Sequence, residues 1–435
     1  RIKTHGNTEQ ISNTEQIMAE LRGINYLRGK LKEKRDRVLT RYRYYDMKHE
    51  LRDPSPIIPE ELKRNYASVL GWCAKTVDSL ADRLSFREFD NDEFNINDIF
   101  NQNNPDILFD SAILSSLIAA CSFMYISKDG DDVRLQVIDG ANATGEINPI
   151  TGLLTEGYAV LERNVKGETV LEAYFDSDRT IYYSNGILEL DIPHDCGAPL
   201  LVPIIYRPDA TRPFGHSRIS RACMSIMNKA RNTITRTDVS AEFYSFPQKY
   251  LLGTDPSGDV QEDLDRWKMT ISTMLTVTAD ENGGHPVAGT FPQQSMEPSI
   301  SQLRMYASLF AGETGLTLDD LGFATDNPSS AEAIKAQHEN LRLTARKAQK
   351  NFGRCFLNVG YVSACLRDDY AYTRKEFYKT KALWEPLFEP DFSEFSAAGD
   401  GLQKLITAAP GYLGPDNLRD MLGIEQSKNP FPAGE

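Results

Sequence analysis

From Ser330 to Leu366 the chain carries one uninterrupted apolar stripe. Leu341, Ala345, Ala348, Phe352, Cys355, Val359, Val362 and Leu366 follow at alternating steps of four and three, the spacing that returns side chains to one face of an α-helix. Ser329 and Glu332 stand in capping-box register behind Pro328. At about 1.5 Å per residue such a helix is about 55 Å long. Propensity alone does not hold a helix of that length, so its stripe must be covered by several partners, in its own chain or in neighbours. The segment predicts an architectural strut.

The rest of the chain supplies two kinds of element. Glu15–Gly29 and Ile58–Leu84 have helical spacing, and the second opens on Pro59-Glu60-Glu61, a good first turn. Between them, Arg41-Tyr42-Arg43-Tyr44-Tyr45 could stack on nucleic acid, but reads better as a helix surface whose tyrosines pack on a neighbour. From about Ser127 to Tyr206 the period changes to short runs rich in branched and aromatic residues, with hairpin turns at Ser184-Asn185-Gly186 and Asn164 to Gly167. This predicts an antiparallel meander inserted in a helical protein. Helices return with a segment capped by Ser217 and closed by Pro247, and with another after Pro298 that places Ile300, Leu303, Ala307 and Phe310 on one stripe. The stretch between is irregular, with strand candidates at Lys249–Leu252 and Ile271–Ala279, a short helix near Asp263 to Trp267, and Gly283-Gly284-His285-Pro286. After Asp368 a mixed stretch is anchored by Trp384 and Phe388. A helical segment spans Ser396 to Thr407, Pro410 to Pro415 forms a turn, Asn417 to Leu422 a last short helix, and Ser427 to Glu435 a frayed end.

Local signs of chemistry are weak. His338-Glu339 lacks the second histidine of a zincin helix, and His194-Asp195-Cys196 sits in an extended run where adjacent side chains point apart. Gly215-His216-Ser217 lacks the closing glycine and preceding strand of a nucleophile elbow, and reads as a loop-to-helix junction. Asp129-Gly130-Asp131-Asp132 lacks the rest of a calcium loop, and no strand leads into a glycine-rich phosphate turn. The expectation is no catalytic site, no metal and no cofactor. No CxxC pair occurs among the cysteines, which are expected to be reduced thiols in a cytosolic chain. No apolar run approaches the roughly 20 residues of a membrane helix, so no membrane partner is expected. Arg1 stands where an initiator methionine would, which reads as a trimmed chain or part of a longer protein. A chain that is 40% hydrophobic and 25% charged is expected to fold, not to serve as a disordered tether. With 62 acidic against 48 basic residues it has a net charge of -14, so DNA met by this chain would be enclosed or allowed to slide rather than gripped.

Three stretches carry a family resemblance. They are Phe214-Gly215-His216-Ser217-Arg218-Ile219 leading into its helix, the run from Ala311-Gly312-Glu313-Thr314-Gly315-Leu316 through Thr317-Leu318-Asp319-Asp320-Leu321-Gly322, and Asn327-Pro328-Ser329-Ser330-Ala331-Glu332-Ala333-Ile334. With the order of elements, they resemble the portal proteins of long-tailed, siphovirus-like bacteriophages. The resemblance implies an α+β fold with a helical wing holding an inserted antiparallel sheet, stem helices, a clip and a short helical crown. Laid on this chain it implies a wing over 1–214 with its β-rich part at about 127–206, and a first stem helix over 215–247. A clip over 248–298, a second stem helix over 299–317 and a channel loop over 318–329 follow. The long wing helix and its following segment take 330–391, and a crown 392–435.

The resemblance further implies a homo-oligomeric ring, usually of twelve copies, at one capsid vertex of the virion, assembled in the host cytoplasm. Double-stranded DNA would pass through its channel. The terminase large subunit, which hydrolyses the ATP, the head-tail connector or adaptor, and the major capsid and scaffolding proteins would be its partners. Asp319, Asp320, Gly322, Phe323 and Asp326 would then face the DNA path, where a lumen-facing loop of aspartates repels phosphate. The competing expectations are a surface connector for that loop, another phage structural or adaptor protein without a channel for the whole chain, and an enzyme assembled from distant residues.

Overall fold

The computed structural model describes residues 21–50, 66, 68–245, 249–252, 287–290, 295–323, 331–387, 392–411 and 414. The chain divides into two units. The first falls within Arg1–Asp36, Asp78–Ser217 and Asn340–Glu435, the second within Arg37–Val77 and Arg218–Glu339.

In the first unit the alternating runs fold into antiparallel sheets. One has the order β3 (Asp132–Asp139), β2 (Cys121–Asp129), β9 (Leu201–Ile205); the other runs β4 (Ala143–Ile147), β5 (Leu154–Arg163), β6 (Thr169–Phe175), β7 (Arg179–Ser184), β8 (Ile187–Pro193). The β7–β8 hairpin turns on Asn185 and Gly186, both at positive φ, as the asparagine-glycine pair predicts. Helix α4 (Pro105–Ala119) packs on the three-stranded sheet, where the hydroxyls of Ser116 and Ser122 lie 2.7 Å apart. The start of helix α1 (Ile24–Tyr45) lies on the five-stranded sheet, its Leu27 and Leu31 in a core with Tyr158, Val160 and Tyr174. Glu156, 1% exposed, accepts from the amides of Arg22 and Gly23 at 3.0 Å each, so a buried carboxylate meets the positive end of that helix.

Helix α7 (Ala331–Asp368) is the long strut. From Asn340 onward it belongs to the first unit, and Leu341, Ala345, Ala348, Phe352, Val359, Val362 and Leu366 are all buried. Its partners there come from its own chain. Strand β1 (Phe86–Asp90) pairs with β12 (Lys381–Trp384), which brings Phe86 to 5.4 Å from Trp384 and 5.5 Å from Phe356. Phe109 of α4 lies 4.6 Å from Phe356, and Tyr206 stacks on Phe352. Gly360 admits Ile96 of helix α3 (Ile96–Asn101) so closely that a Cβ would lie 2.8 Å from its Cδ1.

In the second unit, helix α5 (Arg221–Ser245) packs on α6 (Glu297–Thr314), and β10 (Lys249–Leu252) pairs with β11 (Val287–Thr290). Trp72 lies 5.4 Å from Phe310. Arg231 is buried, its guanidinium 2.7 Å from His49 Nε2 and donating to the Ser68 carbonyl at 2.9 Å. Burial, aided by the nearby Arg231 charge, lowers the pKa of His49. Tyr44 stacks on His49 and accepts from Asn228 at 2.7 Å, so this tyrosine of the aromatic-basic stretch is held within the unit.

Three expectations need correction. Ser217 lies four residues ahead of α5, with its hydroxyl donating to the Ile118 carbonyl; the cap is Ser220, three positions nearer the helix body, which accepts from the Cys223 amide at 3.1 Å. The helix expected over Ile58–Leu84 is not continuous, because residues 68–71 are irregular and α2 spans only Trp72–Ala81. Gly71 stands just before it, where a residue without Cβ gives up the most backbone freedom on entering a helix. The meander also begins earlier than expected, at Cys121. The last helix, α8, spans Phe392–Ala408. Expectations that rest on residues 15–20, 58–65, 263–267, 271–279, 283–286, 326–330, 388, 412–413 and 415–435 lie outside the described residues. Among the described residues, no helix is long and apolar enough to cross a membrane.

Candidate functional site

The segment after α6 is folded, and its geometry follows from a threonine and an aspartate three residues apart. Gly315 closes α6 in the left-handed conformation at φ 72°, its amide bonded to the Ala311 carbonyl at 2.8 Å. Thr317 then begins a reciprocal cap. Its amide and hydroxyl both donate to Asp320 Oδ2 at 2.9 Å, and the Asp320 amide donates back to Thr317 Oγ1 at 3.1 Å. The result is a 3-10 turn at Asp319–Leu321, closed by Gly322 at φ 91° with its amide on the Asp319 carbonyl. The Phe323 amide returns to the Leu318 carbonyl at 3.0 Å, and Leu321 is buried.

The residues expected along a DNA path therefore differ in role. Asp319 is exposed, Asp320 is half-buried and committed to the cap, Gly322 supplies a positive φ, and Phe323 is half-buried. Asp326 and Ser329 lie outside the described residues. Glu332 lies in the first turn of α7.

Behind the turn, Arg218 donates from Nη2 to the Thr314 carbonyl at 2.5 Å and from Nε to the Thr76 carbonyl at 3.4 Å. The Ser220 hydroxyl reaches Glu313 at 3.2 Å. Sequence reasoning did not single out Arg218 or Thr317. The Thr317-to-Asp320 spacing was a readable cap signal, whereas nothing in the sequence marks which carbonyl an arginine will meet.

The side chains weighed for chemistry stay apart. Burial lowers the pKa of His194 and raises that of Cys196, pushed up to about 12, which disfavours both the imidazolium and the thiolate. His216 pairs with Asp209 at 2.5 Å on the surface, and that hydrogen bond holds the Asp209 carboxyl well below its usual range. Among the described residues no three His, Cys, Asp or Glu side chains gather as a metal site would require.

Comparison with known proteins gives a family. The family described as phage portal protein, SPP1 Gp6-like, matches residues 24–378. The portal protein of Mycobacterium phage L5 is 23% identical over 404 residues, covering 87% of this chain and 81% of that protein. The portal protein of Mycobacterium phage D29 is 22% identical over the same length and coverage. Among solved structures, a chain from the virion of a native gene transfer agent particle aligns with a TM-score of 0.46 at 14% identity, covering 90% of this chain and 100% of that one. A chain from the neck of the native particle gives 0.45 at 15% identity, covering 86% and 95%.

Proposed function

The chain belongs to the SPP1 Gp6-like family of phage portal proteins, and we propose that it works as one subunit of a closed ring, usually of twelve, that conducts double-stranded DNA. As a portal protein it is a structural component at the capsid vertex, serving DNA packaging and ejection and docking the head-to-tail machinery. The observation that carries the subunit-level reading is the order of elements in the second unit. Two helices pack side by side, and the chain that leaves α5 returns to α6 through the antiparallel pair β10–β11.

In this reading α5 and α6 are the stem, and residues 248–298 are the clip that meets the terminase large subunit and later the connector. The contact of Trp72 with Phe310 supports counting Arg37–Val77 with the stem. The sheets and α7 from Asn340 onward form the wing, α8 belongs to the crown, and capsid and scaffolding proteins surround the ring. The segment 318–329 faces the channel, with the capped turn at Asp319–Leu321 as its anchored first half. At -14 per chain the lumen is predominantly acidic and lets DNA slide. Electron microscopy with native mass spectrometry of the purified protein tests this: rings with an axial hole are expected. Monomer or dimer alone, at every salt and protein concentration, overturns it.

A further inference from the structure

Strand β8 is the outermost strand of the five-stranded sheet, and all its residues are exposed. Ile187, Leu188, Leu190 and Ile192 are 75%, 57%, 50% and 42% exposed. Four large apolar side chains on one edge strand differ from the scattered singles normal on a protein surface. Between them, Asp191 is paired with Arg179 at 3.3 Å, while Glu189 has no ion pair among the described residues. Tyr182 faces Leu190 and Tyr183 faces Leu188, which makes Glu189 the extra residue of a β-bulge. A bulge bends the edge and interrupts its backbone ladder, so strand addition is disfavoured. What this edge offers is its side chains, Ile187, Leu190 and Ile192 on one face and Leu188 on the other, with one unpaired carboxylate.

The same unit holds a matching concavity. The β4–β5 turn, the middle of α7 and the 3-10 segment Arg374–Lys379 enclose a cavity of about 300 Å³, lined by Arg354, Arg374 and Lys375 and by no carboxylate. Arg374 donates to the Thr151 carbonyl and, at 2.5 Å, to Asn358 Oδ1. These neutral acceptors fix the guanidinium without neutralising it, and Asn358 is itself only 4% exposed. Among the described residues none of the three cations has an ion pair. Burial, together with the adjacent charge of Arg354, lowers the pKa of Arg374. Ile150 and Tyr378, 82% and 63% exposed, give the notch an apolar rim.

We propose that neighbouring copies meet head to tail through these two surfaces, Glu189 of one copy entering the Arg354–Arg374 notch of the next while the apolar side chains of β8 cover Ile150 and Tyr378. The inference rests on the ring reading and names the contact that closes it. A second copy is the favoured occupant because the two surfaces match in both charge and apolar character. They also lie toward opposite edges of one sheet, since β4 and β8 are its outer strands, about 19 Å apart at about 4.8 Å per strand spacing. A patch and its complement toward opposite edges of one sheet give a heterologous contact, the kind that closes into rings. A DNA backbone would satisfy the cations and leave both apolar surfaces bare.

The test uses the full chain carrying Glu189→Arg, Arg354→Glu, or both, with Arg374 untouched because it also holds Thr151 and Asn358. Glu189 and Arg354 are exposed, so the monomer fold is expected to survive, as circular dichroism will verify. Each single reversal should abolish rings in native mass spectrometry, and the double reversal should restore them. Independently, Glu189→Cys combined with Lys375→Cys in one chain should give a ladder of oxidised multimers. Mixing the two single-cysteine chains should stop at dimers. Wild-type rings that persist through both reversals and yield no crosslink overturn this contact and leave the ring reading standing. Wild-type protein that forms no ring sinks both. Intact mutant rings that fail to enter capsids, or that lose DNA retention, would reassign these surfaces to capsid protein or to nucleic acid and so overturn the proposal.

Discussion

Arg218 Nη2 donates to the Thr314 carbonyl oxygen at 2.5 Å, joining the residue ahead of α5 to the last turn of α6. The last four carbonyls of a helix have no partner within it, and a cationic donor there also meets the negative end of the helix. Arg218→Ala should cost about 1.5–3 kcal/mol, the range for a hydrogen bond with one charged partner. Amide hydrogen exchange at Leu321, Gly322 and Phe323 should quicken, because their turn is anchored on α6. Arg218→Lys keeps one donor and should recover part of the loss. Unchanged exchange in the alanine variant would mean that the turn stands without this anchor.

Gly215 is required by its backbone. At φ 76° a Cβ there would lie 2.0 Å from the Tyr206 carbonyl oxygen and 2.9 Å from Ile205 Cγ2. Gly215→Ala should cost more than about 2 kcal/mol, combining positive-φ strain with displaced backbone. Gly312, inside α6, has nothing within 4 Å of its Cβ position. Gly312→Ala should therefore stabilise by about 0.5–1 kcal/mol. Denaturant titrations of the two variants should move in opposite directions.

These residues also show what a sequence can and cannot disclose. The stripe from Leu341 to Leu366 was legible because burial on one helix face repeats at fixed steps, and the Asn185-Gly186 hairpin because few residues adopt two successive positive φ values. The pairing of β1 with β12 joins residues nearly three hundred positions apart, and no local period marks either short strand. Ser217 and Ser220 were equally good caps by residue type. Only the place where the helix begins, at Arg221, makes Ser220 and not Ser217 its cap. In the candidate channel segment the aspartates were visible as charges, yet the division of labour between Asp319 and Asp320 depends on where the Thr317 hydroxyl sits.

Buried ionisable groups make the first unit sensitive to alkali. Burial pushes the Cys196 thiol from 9.0 up to about 12 and raises Cys365 and the Tyr158, Tyr174 and Tyr182 phenols as well. A folded pKa above the unfolded one means that the folded state holds its proton longer. The stabilisation is complete below pH 9.0 and is lost as pH rises through about 12. The urea midpoint should fall across that window, with a shallower slope in Cys196→Ala. An identical slope in the variant would exclude this thiol as a contributor.

The β10–β11 pair offers a clean way to remove the proposed clip. Leu252 pairs with Val287, so residues 253–286 could be replaced by Asn-Gly, the preferred two-residue hairpin turn. The expected protein still forms rings but no longer co-sediments with the terminase large subunit or the connector. Retained docking would place that contact elsewhere on the chain.

The reciprocal cap changes how the channel reading must be tested. Asp320 accepts two hydrogen bonds from Thr317, so replacing it with lysine would disturb the turn and any DNA contact together. Asp319 is exposed and its side chain is outside that cap, which makes Asp319→Lys, combined with Asp326→Lys, the more informative change. If the segment faces the lumen, two repulsive carboxylates per subunit become two attractive cations. Each neutralised phosphate adds a salt-sensitive contact, so packaging velocity should fall at low salt and recover as salt rises. Ring assembly should be nearly unaffected, since exposed charges contribute little to stability. Asp320→Ala should instead speed amide exchange in the turn without introducing that salt response. Packaging velocity measured at two salt concentrations, on rings of confirmed stoichiometry, decides the matter: wild-type velocity and wild-type salt response in the double lysine variant would place this segment away from the DNA.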